Sequence, residues 1–310
     1  MLALIIALSP SHVLSKPNID PRALRSGVNK DRAVERILAS RPTIEGAGVR
    51  LKRAFGYYEV PSFDPFLMLD DFHSENPADY IAGFPWHPHR GIETVTYMIR
   101  GTVEHGDTLG NRGTIQSGDV QWMTAGGGIL HQEMPQPYVG HMQGFQLWVN
   151  LPASSKMMRP RYRDIKSADI PNASPKKGIG VKVIAGRFEG TSGPVKDLVV
   201  DAQYLDVSMA PGRRFDHSIK EGDRAFAYVF EGEALFGHNA VNPLGAEHVA
   251  LFSDGSHLTV RTSENRARFL LVSGPPIGEP VAWRGPIVMN TEQELEIAFQ
   301  EYRSGRFIRA

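Results

Sequence analysis

The chain has 310 residues, 41% apolar and 22% charged, the composition of a globular protein. Its 34 Lys and Arg balance 34 Asp and Glu, so no net field draws it directly to nucleic acid or to an anionic membrane. It has no cysteine, which excludes disulfides, thiolate chemistry and cysteine metal ligands and fits an expected cytoplasmic location.

The first apolar run, residues 2–8, is shorter than the roughly 20 residues that a membrane span needs. No basic residue precedes it as a secretory signal would require; Lys16 is the first. Residues 9–32 hold Pro10, Pro17, Pro21 and Asn18 without apolar periodicity, so 1–32 reads as an irregular extension. Short β-branched and aromatic runs follow, the pattern of a sandwich or barrel. They fall at 94–99, 120–123 and 145–151, then at 181–184, 204–209, 226–230, 249–252 and 269–272. Gly101, Gly118-Asp119, Pro211-Gly212, Gly222-Asp223 and Asp254-Gly255 punctuate them. Residues 164–180, with Pro171, Asn172, Pro175 and Gly178, carry no apolar period and read as a join. Tyr97-Met98-Ile99-Arg100-Gly101 parallels Tyr228-Val229-Phe230-Glu231-Gly232, which favours two copies of one barrel. At the end, Thr291-x-x-Glu294 is a capping box followed by Leu295, Phe299 and Tyr302 at helical spacing. That pattern predicts a helix over 291–304 with its stripe against a barrel.

The chemistry concentrates in two doublets. His87 and His89 are two residues apart, and His131 and Glu133 repeat that spacing. In a strand, i and i+2 share a face about 7 Å apart. Two such doublets on facing strands aim three imidazoles and a carboxylate at one point. A single histidine is more often a polar core or surface residue; the paired spacing carries the reading. Nitrogen and oxygen donors together suit a divalent first-row metal with positions left for water or substrate. Glu93 lies four residues after His89 and would share its face in a regular strand, so spacing alone leaves the carboxylate ligand open between Glu93 and Glu133.

Other residues have blander readings. Phe84 and Trp86 adjoin His87 and are preferred as pocket walls over Trp122 and Trp148. Gly126-Gly127-Gly128 lacks the following Lys-Ser/Thr of a phosphate loop and is expected to let backbone pass close to the metal. Asp70 and Asp71 are expected to hydrogen-bond at a loop or sheet edge rather than do acid–base work. His217, His238, His248 and His257 have no partner at doublet spacing, so one metal per chain is expected, in the first barrel.

Several of these segments resemble the pirin family of the cupin superfamily. They are His87-Pro88-His89-Arg90-Gly91 with Glu93-Thr94, and Gln121-Trp122-Met123-Thr124-Ala125-Gly126 with Gly128-Ile129-Leu130-His131-x-Glu133-Met134-Pro135. Leu147-Trp148-Val149-Asn150-Leu151 and Gly285-Pro286-Ile287-Val288-Met289-Asn290-Thr291 are also similar, and the likeness spans about 33–310. The resemblance implies an all-β bicupin of two tandem jelly-roll barrels, 33–170 with the metal and 171–310 without, ending in the helix. It implies His87, His89, His131 and Glu133 as ligands and leaves Glu93 as a structural carboxylate or one that supports a ligand, for instance by orienting a ligating imidazole. Fe(II) is the implied metal; Ni, Cu, Mn or Zn would suit the same donors. The implied activity is quercetin 2,3-dioxygenase-type cleavage of a flavonol with dioxygen, Glu133 accepting the substrate's proton. The alternative is an iron-binding, redox-sensing regulator whose partner is a transcription factor or a metabolic enzyme.

Overall fold

A computed structural model describes residues 30–308; the apolar run 2–8 and most of the expected extension lie outside the described residues. The first half contributes β1 (Val34–Ala39), β2 (Arg41–Glu45), β3 (Val49–Phe55), β4 (Phe66–Ser74), β5 (Phe84–His89) and β6 (Ile92–Arg100). It continues with β7 (Thr102–Asp107), β8 (Arg112–Gln116), β9 (Val120–Thr124), β10 (Ile129–Pro135), β11 (Met142–Asn150) and β12 (Arg161–Ile165). Seven of these strands form one sheet in the order β12-β9-β6-β11-β4-β3-β2, and four form another in the order β5-β10-β7-β8. The two cupin domains are all-β. The second is built on a large sheet that includes Ile179–Ala185, Gln203–Met209, Arg224–Phe236, His248–Phe252 and Ala267–Gly274. β1 crosses over and pairs with His248–Phe252 in that second sheet.

The larger first sheet is covered on both faces. Val95 and Tyr97 of β6, Trp122 of β9 and Phe145 and Leu147 of β11 enter an apolar core shared with Tyr204, Phe226, Tyr228 and Leu270 of the second domain. Alternation sends their neighbours Thr94, Thr96, Gln121, Gln146 and Trp148 to the opposite face, into the first barrel. Double burial is why these strands read as nearly continuous apolar and β-branched runs.

The internal repeat has a structural counterpart in this interface. Tyr97 donates its hydroxyl to Asp206 at 2.7 Å, and Tyr228 donates to Asp71 at 2.8 Å. Each barrel thus gives the other one tyrosine and takes it on one buried aspartate. Asp71 therefore lies in β4, between β11 and β3, not at a loop or an edge. The repeat marked the tyrosines; the aspartates they reach are remote in sequence and were not legible.

The C-terminal segment returns to the first barrel. Ala282–Arg284 and Ile287–Met289 form a small hairpin, and helix α1 (Glu292–Arg303) follows, capped by Thr291 and Glu294 as the sequence predicts. Its buried face is Leu295 with Ala298. Tyr302 instead stays 38% exposed and meets Phe307 edge-on at 5.5 Å. Arg90, buried just after β5, donates to Glu301 at 2.6 Å and to the Phe307 carbonyl at 2.9 Å. Its guanidinium also lies 4.2 Å from the Phe307 ring centre. The helix is therefore anchored to the β5–β6 junction.

Candidate metal centre

β5 is an edge strand of its four-stranded sheet. That position tolerates Pro85 and Pro88, which have no N–H to give a second neighbour. Antiparallel pairing with β10 places His87 opposite His131 and His89 opposite Ile129. Period-2 alternation then brings all three imidazoles to one face. Their ligand-capable nitrogens lie within 4.8 Å of one another, and the ring centres are 4.4 to 5.0 Å apart.

The hydrogen bonds fix how the rings present themselves. His87 Nδ1 lies 2.8 Å from the Pro85 carbonyl, and His89 Nδ1 lies 3.1 Å from the Pro286 carbonyl. A carbonyl only accepts, so both Nδ1 atoms carry the proton and each Nε2 of a neutral ring holds a lone pair. Those two Nε2 atoms are 3.1 Å apart. Burial and the neighbouring His87 hold His89 well below the usual imidazole range. Burial and the other rings do the same to His131. Among the described residues, neither nitrogen of buried His131 has a hydrogen-bond partner. Neutral imidazoles whose lone pairs face one another repel unless a cation sits among them. The donor set therefore fits a divalent first-row metal.

Glu133 follows on β10 but its carboxylate does not fall within the three-histidine group. A register shift separates it from His131. It accepts the Thr96 hydroxyl at 3.0 Å and the Gln146 amide at 2.9 and 3.2 Å. Gln146 in turn accepts the Trp148 indole N–H at 3.0 Å. Neither Thr96 nor Gln146 was singled out from sequence. The available signal was parity, since Gln146 and Trp148 share one face of β11.

Of the two roles expected of Glu93, its contacts match the structural one. Its carboxylate accepts the Thr124 hydroxyl at 2.5 Å and lies 3.8 Å from Arg163. Gly91, at φ +78, ends β5 and starts β6 in the other sheet, so the regular-strand count from His89 does not carry across it. A Cβ on Gly91 would stand 1.9 Å from the Val288 carbonyl oxygen. The close approach lets the C-terminal hairpin bring the Pro286 carbonyl to His89. The Gly126–Gly128 loop approaches Met157, Met158 and Phe307 rather than the histidines. Buried Lys156 braces the same junction, donating to Gly91 O at 2.9 Å, Asn150 Oδ1 at 2.6 Å and Val288 O at 3.2 Å.

A cavity of about 580 Å³ opens from His87 and His89. Leu51, Met68, Phe72, Phe84 and Trp148 line it with Tyr57 and Trp283. Trp148 meets His89 edge-on at 5.0 Å, and Trp283 lies 5.8 Å from Trp148 and 5.5 Å from Tyr57. Phe84 is a wall, as the sequence suggests. Trp86 is 49% exposed and not among the lining residues; the tryptophan walls are Trp148 and Trp283. Trp86 alternates with His87 along β5, and alternation turns it away from the cavity. Asp70, also a lining residue, pairs with Arg53 from mid-sheet β4 rather than from a loop.

The family model described as Pirin matches residues 48–149, and that described as the Pirin C-terminal cupin domain matches residues 204–308. A pirin-like protein of Caulobacter vibrioides is 46% identical over 278 residues, covering 89% of this chain and 99% of that protein. A crystal structure described as quercetin 2,3-dioxygenase from Acinetobacter baumannii superposes with a TM-score of 0.83 at 33% identity. That match covers 89% of this chain and 98% of the other. The bacterial pirin YhhW of Escherichia coli, solved with nickel(II), shares the fold at a TM-score of 0.60 and 21% identity, over 78% of this chain and all of that one. With both domain models matched in order and the relatives aligned almost end to end, the chain belongs to the pirin family.

Proposed function

We propose that the protein is a metal-dependent dioxygenase that cleaves a flavonol such as quercetin, with Fe(II) held by His87, His89, His131 and Glu133. One observation carries this reading: three imidazoles converge, and two of them, His87 and His89, line an aromatic-walled cavity of about 580 Å³. That volume lies within the roughly 300–1,000 Å³ of small-molecule pockets. The A. baumannii structure described as quercetin 2,3-dioxygenase adds support at the level of the family.

Bound there, the metal would supply Lewis-acid and redox chemistry toward a hydroxyl-bearing substrate and dioxygen. The chain's own residues do the rest. Trp148 and Trp283 flank a flat ring, and Phe84, Leu51 and Met68 keep water from it. Glu133 takes the proton of the flavonol 3-hydroxyl, and Thr96 and Gln146 keep its oxygens turned to that task. The overall change would balance as flavonol plus dioxygen going to a ring-opened depside and carbon monoxide, the depside keeping both added oxygens less the one that leaves in carbon monoxide.

The assignment of Glu133 is tested by Glu133→Ala. We expect quercetin consumption under air to fall at least about a hundredfold, the contribution typical of a general base. A variant with full metal content and full turnover would sink it. The division into a metal-bearing 33–170 unit and a metal-free 171–310 unit belongs to the same proposal.

A further inference from the structure

The cavity wall away from the histidines is not apolar. Arg53 donates to Asp70 through Nε at 2.9 Å and Nη2 at 2.8 Å, and the same Nη2 lies 3.0 Å from Glu45. All three residues line the cavity. Asp70 is 6% exposed and has both oxygens on the guanidinium, whereas Glu45 is 42% exposed. Among the described residues, no hydrogen bond lies on the second Glu45 oxygen. Two carboxylates thus face one guanidinium, engaged through its Nε and Nη2. The wall carries an excess negative charge and presents a hydrogen-bond acceptor, not a free cation.

Glu45 is also held in place. It ends β2 at a turn in which Gly46 has φ +57, and a Cβ there would stand 2.5 Å from the Gly83 carbonyl oxygen. Ala47 N–H donates to that same oxygen at 3.0 Å. The turn is packed on the segment leading into β5, so the Glu45 carboxylate stands on the rim of the strand that carries His87 and His89.

We infer that Glu45, backed by Arg53 and Asp70, is a specificity-determining residue that admits uncharged aromatic rings bearing hydroxyls and rejects rings bearing a carboxylate. A phenolic hydroxyl donates to the open Glu45 oxygen. A ring carboxylate at the same place meets like charge and finds no unpaired cation. A ligand is therefore oriented with its metal-seeking oxygen toward the histidines and its neutral hydroxyls toward Glu45. This inference rests on the flavonol reading.

The test is ligand binding, read as quenching of tryptophan fluorescence, since Trp148 and Trp283 both line the cavity. The probes are quercetin and a flavone carrying a carboxylate on its phenyl ring, titrated into the full chain at pH 7. We expect quercetin to bind at least about tenfold more tightly, the scale of one unit charge near a protein surface. Glu45→Gln should narrow the gap to about threefold or less by strengthening carboxylate binding, and Glu45→Lys should reverse it. Glu45 is at a partly exposed turn, so both variants should fold, which an unchanged melting temperature would verify. Equal binding of the two probes, or an unchanged ratio in Glu45→Gln, overturns the charge preference and leaves the flavonol reading standing. No quenching by either probe removes the flavonol reading and this inference with it.

Discussion

His87, His89 and His131 differ from His217 in what surrounds their nitrogens. His217, in the second domain, shares its Nε2 with the Gln203 amide oxygen at 2.6 Å and packs near Phe188 and Phe215. It is a satisfied core histidine, pushed down to about 4 by burial. His131 has no such partner for either nitrogen, and the His87 and His89 lone pairs face each other. The residue that ties this cluster to the cavity is Gln146, which holds Glu133 and accepts from Trp148. Gln146→Leu should leave the barrel folded but lower metal affinity about 10–100-fold, the usual cost of losing a group that orients a ligand. Competitive metal titration of the purified variant measures this, and an unchanged affinity would remove Gln146 from the site. The histidine doublet was legible because its geometry is local, set by period-2 alternation within one strand. Gln146, Thr96, Trp283 and the Pro286 carbonyl were not, because they arrive from strands whose register and partners no short window contains.

At the level of elements, the decisive piece is the junction between β5 and β6. Gly91 turns the chain out of one sheet and into the other. It thereby separates His89 from Glu93, which a regular-strand count had placed together. Lys156 braces that turn against the Val288 and Asn150 oxygens. Burial lowers its ammonium to about 8 from the model-peptide value of 10.5. Between those two values the unfolded chain binds the proton that the folded chain has released. The Lys156 contribution to stability therefore rises as pH increases from about 8 to about 10.5. Denaturant unfolding of the native protein and Lys156→Met should show this as a difference that grows in favour of the native protein across that window. A difference flat with pH would mean that the ammonium is not desolvated as described. Gly91→Ala should cost about 3 kcal/mol or more, since it adds strain at positive φ to a backbone clash; a melting temperature close to native would refute that. β1 shows the limit of local pattern in a different way. Val34–Ala39 lies outside the runs read as strands from sequence, and no local pattern says that its partner is His248–Phe252 of the second domain, because an edge strand's choice of sheet is a long-range matter.

Across the whole molecule, the two barrels are joined by a shared apolar core and by reciprocal Tyr–Asp bonds. The second domain also reaches back over the first: its hairpin supplies the carbonyl that sets His89, and Trp283 lines the cavity. The candidate metal centre is therefore assembled from both halves although every candidate ligand lies in the first. Tyr97→Phe or Tyr228→Phe should each destabilise the chain by about 1–3 kcal/mol, because each leaves a buried aspartate short of a donor. Chemical denaturation followed by tryptophan fluorescence reads this, and a loss below about 0.5 kcal/mol in both would show that the interface does not depend on them. The bicupin architecture was legible in the Tyr97/Tyr228 repeat and the pirin-like motifs. The dependence of the first barrel's centre on the last thirty residues was not.

Metal content and quercetin turnover under air, before and after Fe(II) reconstitution, should be compared for the native protein, His87→Ala and His131→Ala. We expect about one iron per reconstituted chain, the occupancy of a single centre on His87, His89, His131 and Glu133, with quercetin consumed by the native protein and both metal and turnover lost in each variant. Iron retained by both variants, or turnover that survives the loss of either histidine, would contradict that reading.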